Sequence, residues 1–434
     1  MRILIISQYW WPENGVPQRR WAWLTEMLVR GGHSVSVIAP PPHYERVSSS
    51  KEWWHSLKNL RTVKQEKGPA GEAIFRTGYL PAGSSLTSRA FNQAAVAYAM
   101  WRAVRRGPRK LRCINPTVVI GTVPALPTAI ITRLVAAKFR APYIVDLRDA
   151  WPDLLHEADN WNVATGRKSL RERLLSYGPL QIVLWLTEKL LDRAIGGADG
   201  IIVTSGHFQR ELIQKFRGSL HAPPVTVIRN VFPVEVEPIE KSSRNPKAEL
   251  NVLYAGTLGR AQNLGNAIRA AKYARERGVK LNLRFVGAGA AKSHLRQLAD
   301  SLEVDVEIES RHPAYELEDH YLWADTALVH LNDWDSLSNA VPSKTFELMA
   351  LGIHITGVVK GEAAQLIRDL GAGVVVDNSD YHALGETWID LFENPEKLAV
   401  SGRARKWVEV ERNVMAPRAL KHSIEQAYSG VSDS

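Results

Sequence analysis

A single cysteine, Cys113, excludes a disulfide within the chain and leaves no thiolate cluster for zinc or an iron–sulfur centre. The expected compartment is therefore a reducing one. Long apolar runs are also missing. The longest charge-free stretch, Cys113 to Thr132, is interrupted by Pro116, Gly121, Pro124 and Pro127, and reads as strand, turn and helix start rather than a membrane span. The opening Met1-Arg2-Ile3-Leu4-Ile5-Ile6-Ser7 is too short to be the apolar core of a secretion signal and reads as a first β-strand. The sequence has no solenoid period and no low-complexity tract. Its 13 histidines form no His-x-His or other pair at metal spacing. The interleaved aromatic and basic pattern of an RNA-binding sheet is absent, so nucleic acid is not an expected partner.

With 434 residues, 45% of them apolar and 23% charged, the chain is too long for one ordinary core, and two domains are expected. The net charge of +10 is concentrated. Between Lys51 and Arg112, 13 Lys/Arg stand against Glu52, Glu66 and Glu72, a surplus equal to that of the whole chain. Such a region suits an anionic lipid surface or is simply a solvated basic face. Trp53, Leu57 and Leu60 share a helical face within it, beside Trp54 and the charges of Lys51, Lys58, Arg61 and Lys64. That pattern fits an anionic membrane surface or an internal core helix.

Short Val/Ile runs alternate with longer helical patterns, the signature of parallel sheets built from βαβ units. A first series comprises Ile3–Ser7, Ser34–Ala39, Thr117–Gly121, Tyr143–Asp146 and Gly200–Thr204. A second comprises Asn251–Ala255, Leu281–Val286, Val304–Ile308, Thr326–Leu331, Ile353–Val358 and Gly373–Val376. Pro233, Pro238, Pro246 and several charges mark a linker between them. The expected domains are residues 1–232 and 233–411, with a last helix, 412–434, folding back onto the first. Residues 40–72 and 152–180 read as long irregular stretches.

Four motifs carry chemistry. In Trp10-Trp11-Pro12-Glu13-Asn14-Gly15-Val16-Pro17, Gly15 precedes a helix and either admits a phosphate to the backbone or only makes the turn. In Asp146-Leu147-Arg148-Asp149-Ala150-Trp151-Pro152-Asp153, polar groups follow a buried strand where open α/β sheets place ligands. Arg148 could hold a phosphate or sugar hydroxyl and Asp149 could accept from an acceptor hydroxyl, or the two pin the loop. In Tyr254-Ala255-Gly256-Thr257-Leu258-Gly259-Arg260, Gly256 and Gly259 clear the strand's end so that a diphosphate can reach backbone and the Arg260 guanidinium. In Val341 to Gly352, Pro342 and Ser343 start a helix, Ser343 and Lys344 lie where a diphosphate would be attracted, and Glu347 lies one turn in, able to accept from ribose hydroxyls or only to cap. Asp333-Trp334-Asp335 has the Asp-x-Asp spacing of a metal-binding pair but stands in a different context.

Together these motifs resemble the retaining family-4 glycosyltransferases of the GT-B fold, and among them the bacterial branch that builds cell-surface polysaccharide, including N-acetyl amino-sugar transferases. The resemblance is carried by Trp11-Pro12-Glu13-Asn14-Gly15, Arg148-Asp149-x-Trp151-Pro152, Ala198 to Ser205, Tyr254 to Arg260, Val286-Gly287-x-Gly289, Val341 to Gly352 and Gly361-Glu362-Ala363-Ala364, which span most of the chain. It implies an α/β fold of two Rossmann-like domains with parallel sheets facing across a cleft. The second domain would hold a nucleotide-diphosphate sugar, UDP-sugar favoured, and no metal cofactor would be needed. Glu347 would hold the ribose, Arg260 and Lys344 the diphosphate, and Gly15 would lie near the phosphates. Glu362 either contacts the donor or caps its helix. Asn339 stands where many relatives have a sugar-contacting glutamate, and Arg148 where many have a histidine. No lysine follows Arg260 in the glycine turn as it does in many relatives. The implied activity is hexosyl or N-acetylhexosaminyl transfer with retention to a lipid-linked or glycan acceptor, by a cytoplasmic protein peripheral to the membrane. A sugar-nucleotide epimerase of similar fold and a non-catalytic nucleotide-sugar binding protein are the alternatives.

Overall fold

The computed structural model describes all residues except 14, 43–55, 57–59, 82–85, 124, 149–178, 220, 240–248, 377–379 and 433–434. The described residues divide into two compact units, one holding those of 1–232 and 416–432, the other those of 233–415.

In the first unit the described elements include β1 (Arg2–Ile6), α1 (Val16–Arg30), β2 (Ser34–Ala39), β3 (Lys64–Lys67), β4 (Ala73–Arg76), α2 (Leu86–Arg106), β5 (Val118–Val123), α3 (Pro127–Phe139), β6 (Tyr143–Leu147), α4 (Pro179–Gly196), β7 (Gly200–Val203), α5 (Gly206–Lys215) and β8 (Val225–Val227), with a single helical turn, Arg109–Arg112, after α2. The sheet runs β3-β4-β2-β1-β5-β6-β7-β8, parallel except for the β3–β4 pair. Ile3, Leu4, Ile5 and Ile6 of β1 have no exposed surface. A strand paired on both edges and covered on both faces needs such an unbroken apolar run, each side chain contributing about 1.5–3 kcal/mol. Gly121 of β5 is required by packing, because a Cβ there would stand 1.9 Å from Thr132 Oγ1 on α3.

A buried ion pair ties the layers of this unit. Arg20 on α1 donates to Asp146 Oδ1 on β6 at 2.9 Å, to Ile228 O at 2.8 Å and to Asn230 Oδ1 at 3.1 Å, while Trp21 Nε1 donates to Asp146 Oδ2 at 2.7 Å. Neither Arg20 nor Asp146 is exposed. One of the carboxylates that the sequence groups with Arg148 is thus committed to the interior.

The second unit contains β9 (Leu250–Ala255), α6 (Gly265–Glu276), β10 (Leu281–Val286), α7 (Lys292–Leu302), β11 (Val306–Glu309), α8 (Glu318–Trp323), β12 (Thr326–His330), α9 (Ser343–Leu351), β13 (Ile355–Val358), α10 (Gly361–Asp369), β14 (Gly373–Val376), α11 (Tyr381–Glu393) and α12 (Gly402–Val410). Its parallel sheet runs β11-β10-β9-β12-β13-β14. The final helix, α13 (Ala416–Ser432), follows a π-helical turn, Glu411–Met415. The unit boundary therefore falls at Ala416, four residues after the expected start of that helix, and α13 packs in the first unit.

The stretch 40–72, expected to be irregular, contains β3. All four of its residues are exposed, so it carries no apolar alternation by which a strand is read. The described strand β11 starts at Val306, two residues later than expected. Trp53, Trp54, Leu57, Lys51 and Lys58 lie outside the described residues, as does the 152–180 stretch up to residue 178. Among the described residues no helix is long and apolar enough to cross a membrane.

Candidate functional site

Among the parallel strands of each sheet the chain order reverses at one place, between β1 and β5 in the first unit and between β9 and β12 in the second. Loops leaving the carboxyl ends of adjacent strands diverge there, which opens a crevice for ligand. Both glycine loops singled out by sequence leave the strands at these reversals.

The loop after β9 is held by backbone. Tyr254 donates its hydroxyl to Thr257 O at 2.9 Å, Gly256 N donates to Val286 O at 2.9 Å, Leu258 N donates to Ala288 O at 2.9 Å, and Ala291 N donates to Leu258 O at 3.0 Å. Burial pushes the Tyr254 phenol well above its ordinary pKa, so it stays a donor. Cβ atoms on Gly287 and Gly289 would stand 1.8 Å from Gly256 O and 2.1 Å from Leu258 O. These two glycines allow the loops after β9 and β10 to touch. At Gly256 and Gly259 the nearest atoms an added Cβ would meet belong to side chains, Tyr254 at the first and Gln262 and Thr257 at the second. Arg260 then opens a 3-10 turn, Arg260–Gln262, and Asn332 N from the loop after β12 donates to Ala261 O at 2.7 Å.

Across the reversal, α9 begins at Ser343 after Pro342, with no side-chain cap, and ends at Gly352, whose φ of 74° suits a residue without Cβ. Glu347, 7% exposed, accepts from Lys344 Nζ at 2.9 Å and from the Tyr321 hydroxyl at 2.7 Å; Lys344 Nζ also donates to the Tyr321 oxygen at 2.9 Å. Asn339 closes the 3-10 turn Asp335–Asn339. Glu362, also 7% exposed, lies in the first turn of α10. Asp333 of the Asp-x-Asp pair takes the Lys360 ammonium at 2.5 Å, and Asp335 opens the 3-10 turn.

In the first unit Gly15 caps α1 in extended conformation, with Pro17 following in the first turn. Arg148 follows β6, and its carbonyl accepts from Thr204 Oγ1 at 3.2 Å. Asp149 lies outside the described residues. A depression of about 480 Å³ beside the β3–β4 hairpin, bordered by Gln65, Glu66, Lys67 and Lys110, contains none of the candidate residues.

Residues 15–231, half of the chain, match the family described as the glycosyl transferase 4-like domain, and residues 235–407 match the glycosyl transferases group 1. The chain belongs to the GT-B glycosyltransferases. It is 22% identical over 306 residues, 69% of each protein, to WcaI of Escherichia coli K12, named as a colanic acid biosynthesis glycosyl transferase. Its fold matches that of sucrose-phosphate synthase from Thermosynechococcus elongatus with a TM-score of 0.62 at 15% identity, over 100% of this chain and 99% of that one. It also matches Anabaena HepE, crystallised with UDP and glucose, with a TM-score of 0.59 at 13% identity over the whole of both.

Within this transferase the structure joins Lys344 to Glu347, and places Arg260, Ser343 and Asn339 on the loops of the same sheet reversal. Glu362 starts the helix after the next strand, β13. Three features escaped the sequence reading. Tyr321 lies on the short helix α8 with nothing in its local pattern to mark it. His330, at the end of β12, is 2% exposed, and burial pushes its pKa down to about 4. Glu309, His312 and His320 bring ligand atoms within 4.8 Å of one another, a set that could hold a metal ion. Arg284 enters the same cluster, with Nε 3.5 Å from Glu309 Oε1 and Nη1 3.4 Å from His320 Nδ1, so as it stands the group is a polar cluster built on the Arg284–Glu309 ion pair, with burial lowering the pKa of His320. Its members come from a strand, a loop and a helix, which hides them from any spacing rule.

Proposed function

We propose that this glycosyltransferase moves a hexosyl or N-acetylhexosaminyl group, with retention, from a nucleotide-diphosphate sugar to a lipid-linked or glycan acceptor in cell-surface polysaccharide synthesis. UDP-sugar is the favoured donor, and the protein works at the cytoplasmic face of the membrane. The reading is carried by Glu347, a buried carboxylate near the start of α9 with an ammonium at 2.9 Å. A carboxylate suited to ribose hydroxyls is paired with a cation suited to a diphosphate, Lys344, at the start of α9, and Arg260 lies in the loop after β9, the strand beside β12. The UDP and glucose bound by HepE and the polysaccharide named for WcaI support the choice of donor and pathway.

In the transfer the bond from the anomeric carbon to the diphosphate oxygen breaks and a bond to the acceptor oxygen forms on the same face. The acceptor proton passes to the departing phosphate. Arg260 and Lys344 offset the charge that gathers on the diphosphate, each such donor being worth ~3 kcal/mol. Gly256, Gly259 and Ser343 give it backbone access, Asn339 and Glu362 contact the donor, and Arg148 and Asp149 orient the acceptor hydroxyl. These cationic groups take the part a divalent ion plays elsewhere, so the assignment requires no metal.

The test is transfer by the purified chain to a lipid-linked acceptor in anionic vesicles. Nucleoside diphosphate should be released only with acceptor present, the product should keep the donor's anomeric configuration, and added salt should slow the reaction if the basic region meets lipid. Arg260→Ala should cut turnover on the order of 100-fold, and near-normal turnover would remove that assignment. An epimerised nucleotide sugar formed without acceptor would point instead to an epimerase, and donor binding without turnover to a binding protein.

A further inference from the structure

Exposure falls steadily through the cluster around Glu347: 24% for the Lys344 side chain, 7% for Glu347 and none for Tyr321. Lys344 is the outer member and can turn away. Tyr321 is enclosed, and its hydroxyl has a definite polarity, donating to Glu347 Oε1 while accepting from Lys344 Nζ. A buried carboxylate needs partners, and one that loses its lysine would be left in whatever orientation its remaining donors impose. If a bound diphosphate draws the Lys344 ammonium to itself, the hydroxyl of Tyr321 remains on Oε1.

We infer that Tyr321 is the positioning residue for ribose recognition, holding the Glu347 carboxylate in the orientation that accepts from the ribose hydroxyls whether or not Lys344 stays beside it. The inference rests on the assignment of Glu347 to the donor's ribose. In this role Tyr321 acts through Glu347, to which it donates, and not on the donor directly. Its contribution should therefore appear as discrimination for the ribose and not as general affinity for nucleotide.

The experiment is calorimetric titration of the full chain with UDP, GDP and ADP and their 2′-deoxy counterparts, for wild type, Glu347→Gln and Tyr321→Phe. The wild type should bind the ribose form of its preferred diphosphate about tenfold more tightly than the deoxy form, the scale of one hydrogen bond to a charged group. Both variants should bring that ratio towards one, with Tyr321→Phe keeping near-normal affinity for the deoxy form. A flat ratio in Glu347→Gln with an intact ratio in Tyr321→Phe overturns the inference and leaves the ribose assignment standing. An intact ratio in Glu347→Gln, or no binding of any of the three diphosphates, overturns the assignment and the inference with it. If Tyr321→Phe does not fold, Lys344→Ala decides: the ratio should survive loss of the lysine, and its collapse to one overturns the role given to Tyr321.

Discussion

His330 shows how a residue at the end of a core strand can make stability depend on pH. Its Nε2 takes the Asn266 amide at 3.1 Å, and burial lowers its pKa from 6.5 to about 4. In the unfolded chain the ring binds a proton near its ordinary value, whereas in the folded protein it stays neutral down to about pH 4. Across that window the unfolded chain carries more protons, so the contribution is complete above 6.5 and is lost as pH falls to about 4. The full effect is on the order of 3 kcal/mol. Urea unfolding at pH 7 and pH 4.5 should show a loss of stability in the wild type that is smaller in His330→Gln; equal losses would exclude the histidine as its source. Arg20 and Asp146 form a second buried polar group, paired at 2.9 Å, and removing either would leave an unpaired charge in the core.

At the scale of elements, the glycines of the second unit divide into two kinds by what surrounds them. A Cβ on Gly287 would be driven into the carbonyl of Gly256, and backbone cannot rotate away, whereas a Cβ on Gly259 would meet the amide end of Gln262 at 2.6 Å, which can. Gly287→Ala should therefore cost about 1–3 kcal/mol, and Gly259→Ala within about 0.5 kcal/mol. Thermal melting of the two variants checks this, and equal melting points would contradict it. The consequence reaches the site, since Gly256, whose carbonyl that Cβ would strike, lies in the loop leading to Arg260. The sequence shows glycines in both loops but cannot distinguish a glycine that clears space for a ligand from one that clears space for another loop. The β3–β4 hairpin illustrates the opposite case, a charged edge strand defined by pairing with Ala73–Arg76 and not by its own pattern.

At the scale of the whole molecule, the chain returns to its first unit after completing the second. Along α13, Leu420, Ser423, Ile424 and Ala427 recur at helical spacing and are no more than 3% exposed, and Ser423 Oγ lies 3.7 Å from where a Cβ on Gly200 of β7 would be. Leu420 and Ile424 alone contribute about 3–6 kcal/mol of burial. A chain ending at Met415 should melt at a lower temperature than the full chain, with protease cutting first in the unit that contains Met1. An unchanged melting point and digestion pattern would show that α13 adds nothing.

The sequence by itself determined the parallel α/β class, because strands covered on both faces must be continuous Val/Ile runs, and those runs alternate with helical periods from Ile3 to Val376. It also placed Gly15, Arg260, Lys344 and Glu347 at strand ends or helix starts, because glycine turns and Pro-Ser helix openings are local signals. Tertiary structure alone decided that β9 lies beside β12, that Arg20 meets Asp146 across 126 residues, and that Tyr321 reaches Glu347 across 26. Such contacts depend on the path of the chain between elements, and no periodicity within an element encodes that path.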